Sequence, residues 1–197
     1  LKTAVLGFPR IGGQRELKKA TESYWKREIS KEALEEAGRE IRKKNWLTQK
    51  EAGIDIIPSN DFSFYDQMLD MTALVGAVPA RYGLKGNRVD LDTYFAMARG
   101  IQTVPAMEMT KWFDTNYHYI VPEFSKGMQF HIASNKPFVE FKEALSLGVR
   151  TRPVLIGPVT YLMLGKAKET GFSSLELLEN LIPVYCEILK ELKLIGA

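Results

Sequence analysis

The chain alternates short apolar runs with longer stretches of helical period, and glycine or proline stands at most of the junctions. Residues 3–6 form a β-rich run that stops at Gly7, and the loop Phe8-Pro9-Arg10-Ile11-Gly12-Gly13 follows it. Helical sequence begins near Gln14 and Arg15 and continues to Lys26. A second helix is predicted from Ser30 to Ala52. Ser30 is placed to cap it, Glu32 lies in the first turn where the helix dipole favours an acid, and Gly53 stops it. A second strand is expected over 54–57, broken by Pro58. Helices are predicted over 65–74 and 91–98, and a third strand over 107–113. Another helix over 137–147 ends at Gly148, and a fourth strand over 151–156 ends at Gly157-Pro158. The last helix carries Leu175, Leu178, Ile182, Tyr185, Cys186, Leu189 and Leu192 at spacings of three and four, an apolar stripe. Pro183 is expected to kink or split it.

Strands separated by helices imply parallel βαβ units with right-handed crossovers. Four units are too few for a closed eight-stranded barrel and suit half of one, or a small open sheet. In either case the loops after the strand carboxyl ends share one face. They would bring together Arg10, Arg15, Lys18, Asn60, Asp61, Lys111, Asn116 and His118, with Phe8, Phe62, Phe64 and Tyr117 among them. Such a rim suits a flat aromatic ligand with an acidic tail.

Charge sharpens that picture. The net charge is only +3, but residues 10–50 hold 12 Lys/Arg against 7 Asp/Glu. A basic first quarter points to an anionic ligand or to a solvated lysine-rich helix face. Arg15 and Lys18 stand one turn apart at a predicted helix start, where free N–H groups already favour an anion. Cationic side chains there oppose the dipole, which favours a ligand over a merely solvated first turn. Asn60-Asp61 fits a ligand contact and a turn or cap equally well.

Several chemistries find no support. Gly7…Gly12-Gly13 matches neither the P-loop nor the dinucleotide fingerprint. With two histidines and one cysteine, no pair has metal-ligand spacing. His118 reads as a hydrogen-bonded structural residue, and Cys186 as an inert core thiol. No nucleophile elbow occurs. No basic–aromatic repeat suggests nucleic acid, and no apolar run approaches a membrane span. The lone cysteine and the lack of a signal peptide predict a cytoplasmic protein. The missing initiator methionine and the terminal amphipathic helix suggest a piece of a longer chain.

Five stretches carry a resemblance: AVLGFPRIG at 4–12, RELKKAT at 15–21, AGIDIIPSNDFSFY at 52–65, EMTKWFDTNYHYIV at 108–121 and RPVLIGPV at 152–159. Together, in this order, they resemble the amino-terminal region of cobalamin-independent methionine synthases. The resemblance implies a TIM-type (β/α)8 barrel of which this chain is about the first half, treated as one domain over residues 1–197. It implies methyl transfer from 5-methyltetrahydropteroyltri-L-glutamate to L-homocysteine. It also implies a zinc ion that activates the homocysteine thiolate, held by a carboxy-terminal barrel outside this chain. By position, Arg15, Glu16, Leu17 and Lys18 match the family's folate-binding stretch. Lys111 matches a second cationic contact and Asn116 a folate-contacting asparagine. The fragment is therefore expected to bind folate polyglutamate and to be inactive alone, with no catalytic or metal residue of its own. The alternative is a non-catalytic half-barrel docking or structural module. One departure is the segment 101–106, shorter than the polar stretch usual in the family.

Overall fold

The computed structural model describes residues 1–84 and 86–197. Along the chain lie α1 (Glu16–Trp25), α2 (Lys31–Glu51), β1 (Ile57–Ser59), α3 (Gln67–Leu74), a 3₁₀ turn (Ala80–Tyr82), α4 (Leu91–Arg99), β2 (Met109–Lys111), β3 (His118–Ile120) and β4 (Glu123–Phe124). Then come α5 (Lys136–Ser146), β5 (Thr151–Pro153), α6 (Pro158–Met163), β6 (Lys166–Ala167), a second 3₁₀ turn (Ser174–Leu177) and α7 (Leu178–Leu194). The chain is mixed α/β and separates into two compact units. The first is 1–64, 137–154 and 195–197; the second is 65–136 and 155–194.

In the first unit β1 pairs in parallel with β5, in the register Ile57 to Thr151. The amino-terminal segment lies on the other side of β1 through a parallel bridge between Ala4 and Ile56. Pro58 lies inside β1 instead of breaking it. Ile56 bonds toward the amino-terminal segment, while Ser59 accepts the Val154 N–H. Strand bonds alternate sides, so Pro58 faces the side where the first segment has already turned away, and no ladder donor is needed there. Its carbonyl instead accepts the Trp46 indole N–H at 3.0 Å. Ser30 caps α2, accepting the Ala33 N–H, and Gly53, at φ 75°, ends it. Leu17, Ile41 and Phe62 form one core cluster; Trp46, Ile57, Ala144 and Val149 form another.

The second unit departs further from expectation. The third strand is not part of a βαβ unit. It is β2 of an antiparallel hairpin, with Met109 opposite Ile120 and Lys111 opposite His118. A further parallel pair, β4 with β6, is only two residues long on each side and leaves no sequence signature. Gly165 precedes β6 because any Cβ there would fall within 2.1 Å of the Phe124 ring. Phe124 in turn packs edge-on against the buried Tyr161. The short segment after Gly100 closes as a tight turn, with Ile101 and Val104 exchanging backbone hydrogen bonds.

Two readings of the last helix need correction. Pro183 does not split the helix; it lies inside α7. Pro183 and Glu179, whose carbonyl loses its helical donor, are both exposed, so water can replace the bond. Cys186 is exposed, not core. The buried face is Leu181, Val184, Tyr185, Ile188 and Leu192, and Ile182 and Leu189 lie outward with Cys186. The helix is apolar on two faces, so periodicity alone did not say which one is covered. Three parallel strand segments in one unit and a two-residue pair in the other do not make a closed barrel.

Candidate functional site

The residues singled out by sequence fall into two groups. Arg15, Glu16, Leu17 and Lys18 belong to the first unit; Lys111 and Asn116 belong to the second. Each group has its own local construction.

The start of α1 is built by a tight turn. Gly12 sits at φ 81°, and a Cβ there would collide with the Glu16 carboxylate. Arg15 occupies the cap position in the left-handed region, at φ 60°. Its N–H donates to the Gly12 carbonyl at 3.2 Å, and the Leu17 N–H donates to the Ile11 carbonyl at 3.2 Å. Glu16 Oε2 accepts the Gln14 N–H at 2.7 Å. Bonds from the amides of Glu16 itself and then Gln14 hold its carboxyl below the usual range, helped by Lys44 and Lys19. The free N–H groups expected at this helix start are thus partly engaged already, because Glu16 acts as a built-in anion. Leu17 is buried in the core, so its side chain supports the turn and is not presented to solvent. Arg15 and Lys18 are exposed, and Lys18 lies 3.6 Å from Glu22 in a solvent-facing pair. A cavity of about 630 Å3 lies between this turn and α2, lined by Phe8, Ile11, Glu16, Ile41, Lys44 and others.

The neighbouring rim residues of the first unit have structural duties. Arg10 donates to the Ser63 carbonyl at 2.6 Å. Asp61 accepts the Phe8 N–H at 2.8 Å and so anchors the loop. Asn60, at φ 60°, donates its side-chain amide to the Val154 carbonyl at 2.7 Å, and its N–H goes to Glu140.

The hairpin presents the second group. The Trp112 N–H bonds the Tyr117 carbonyl and the Val121 N–H bonds the Glu108 carbonyl, which makes Lys111–His118 and Met109–Ile120 non-hydrogen-bonded pairs. Side chains of 109, 111, 118 and 120 therefore share one face. Trp112 and Tyr119 share the other, in edge-to-face contact at 5.6 Å. Tyr119 is buried and donates its hydroxyl to the Leu164 carbonyl at 2.9 Å. Lys111, Asn116 and His118 are exposed, and Lys111 has no side-chain partner among the described residues. His118 Nδ1 lies 3.0 Å from the Asn116 carbonyl, a local bond of the structural kind expected for it.

The sequence family model for the cobalamin-independent synthase, N-terminal domain, matches residues 2–197. The chain belongs to that family. Among curated relatives, it is 60% identical to the 5-methyltetrahydropteroyltriglutamate–homocysteine methyltransferase of Flavobacterium johnsoniae, over all of this chain and 26% of that protein. Proteins of the same name from Salinibacter ruber and Nitrosomonas europaea are 55% and 56% identical, over 95% and 97% of this chain and 26% and 25% of their own lengths. The chain spans about a quarter of the length of the curated relatives it matches. This agrees with the resemblance read from the motifs. No group of three His, Cys, Asp or Glu that could hold a metal ion occurs among the described residues. Among the same residues no helix is long and apolar enough to cross a membrane.

Asp66 was not singled out from sequence. It caps α3 through one carboxylate oxygen and holds β3 through the other. Its signal was available in part: an Asp immediately before an apolar helical run is a cap signature. The contact with β3, 54 residues away, has no such signal.

Proposed function

We propose that this chain is the folate-binding part of a methyltransferase that passes a methyl group from 5-methyltetrahydropteroyltri-L-glutamate to L-homocysteine. On this reading it forms the first part of a TIM-type barrel. It binds the polyglutamate tail and has no activity alone. The thiolate activated by zinc would be served by residues outside it. The observation that carries the reading is Lys111: a cation on a well-tethered hairpin, exposed and without a side-chain partner among the described residues. Nothing in the fold of the hairpin requires a lysine there, whereas a carboxylate-bearing ligand would. Arg15 and Lys18 are the corresponding cations of the first unit, with Glu16 and Leu17 shaping the turn that presents them. Asn116 adds an amide at the hairpin tip.

These side chains bind and position; none is placed to break or form the transferred bond. The test is calorimetric titration of triglutamate folate into the chain and its K18A and K111A variants, at low and high salt. The expected result is weaker binding in each variant and a shallower salt dependence. The docking-module reading is favoured by the outward apolar residues Ile182 and Leu189 on α7. It predicts no change in folate affinity in either variant.

A further inference from the structure

The hairpin carrying Lys111 hangs on one buried acid. The non-hydrogen-bonded pairing of Ile120 with Met109 turns the Ile120 N–H away from β2, and Ile120 is fully buried. A buried donor left without an acceptor is desolvated and unpaired, so it needs one. Asp66 supplies it: Oδ2 accepts the Ile120 N–H at 3.0 Å. Oδ1 accepts the N–H groups of Met68 and Leu69 at 2.7 and 3.0 Å. One carboxylate thus joins the first turn of α3 to β3, and it is only 1% exposed. A neutral amide cannot take its place. An asparagine would keep an oxygen for the helix cap but present N–H groups to the Ile120 N–H.

Among the described residues no cation pairs with Asp66 itself; burial opposes its charge and the backbone N–H groups favour it. Asp70, one turn further along α3, accepts the Tyr94 hydroxyl at 2.7 Å and lies 3.3 Å from Lys136. Asp66 therefore faces a like charge that Lys136 offsets, together with the hydroxyls of Tyr65, Tyr94 and Tyr119.

We infer that Asp66 is a positioning residue for the ligand contacts of the hairpin: its carboxylate holds β3 on α3 and so sets where Lys111 and Asn116 stand. The inference rests on the proposed folate-binding role of Lys111. Asp66 touches no ligand and acts only through the strand.

The experiment uses the 197-residue chain, its D66N and K111A variants, and amide NMR alongside triglutamate-folate titration. Burial lifts the Asp66 carboxyl to about 6. The Ile120, Met68 and Leu69 amide protons of the unmodified chain are expected to titrate together with a midpoint near that pH. In D66N the Met68 and Leu69 amides should stay protected while Ile120 exchanges faster. If the freed hairpin is in place about a tenth of the time, ligand affinity falls about tenfold. An Ile120 amide that neither titrates nor loses protection in D66N overturns the pin, and the wild-type titration decides this even if D66N folds poorly. An intact affinity in D66N beside a weakened K111A overturns the positioning role. Unchanged affinity in K111A, or no binding by the unmodified chain, overturns the functional reading itself while the Ile120 titration still reports on the pin.

Discussion

The turn before α1 and the β2–β3 hairpin present cations in two different ways. The turn is satisfied by its sequence neighbours: Gly12 makes the bend, Glu16 bonds the Gln14 amide, and Lys18 sits beside Glu22. The hairpin is held by residues far away in sequence: Asp66 on Ile120, and Leu164 on Tyr119. The first construction pairs Lys18 with Glu22. The second leaves Lys111 with no side-chain partner among the described residues and places its support in buried groups. An exposed charge that nothing local explains, on a rigid and buried footing, is the stronger sign of a ligand.

Four measurements break or sharpen that contrast. The largest effect belongs to Leu17. If it supports the turn from the core, L17A should cost about 2–5 kcal/mol of stability by urea unfolding. A fully stable L17A with weakened folate binding would instead make it a direct contact. Next is Asp66. A carboxyl raised from 3.8 to about 6 binds more protons folded than unfolded between those values. Stability from this group is therefore present at acid pH and lost as pH rises from about 4 to 6, by roughly 2–3 kcal/mol. The urea midpoint of the wild type relative to D66N should fall across that window and be flat above it. Removing the other tether, in Y119F, should cost about 1 kcal/mol and loosen the hairpin without touching α1, as read by amide exchange. The smallest effect is E22Q. Freeing Lys18 from a half-exposed pair should change stability by no more than about 0.5 kcal/mol. It should raise folate affinity slightly at low salt if Lys18 is a contact, and not at all if it is not.

The same contrast explains what could be read in advance. α1, α2, α4 and α5 were legible because caps and stops are local: Ser30, Gly53 and Gly148 act on their own helices. The candidate residues at 15–18 were legible for the same reason. The partner of β2 was not, since β3 is three residues long and its tethers lie at positions 66 and 164. Cys186 was misplaced because α7 is apolar on two faces, and only the packing shows which face is covered.

By itself, the amino-acid sequence determined α1, α2, α4 and α5 with their ends, the family and the presence of cations at 15, 18 and 111, but not α6, which lies where a loop was expected. These depend on φ/ψ preferences and bonds between residues a turn apart, or on motif strings. The tertiary structure alone decided that Pro58 stays within a strand, that Leu17 is core, and that a buried carboxylate at 66 carries β3. Those outcomes depend on which backbone groups are left without partners once distant segments pack, and no neighbour along the chain reports that.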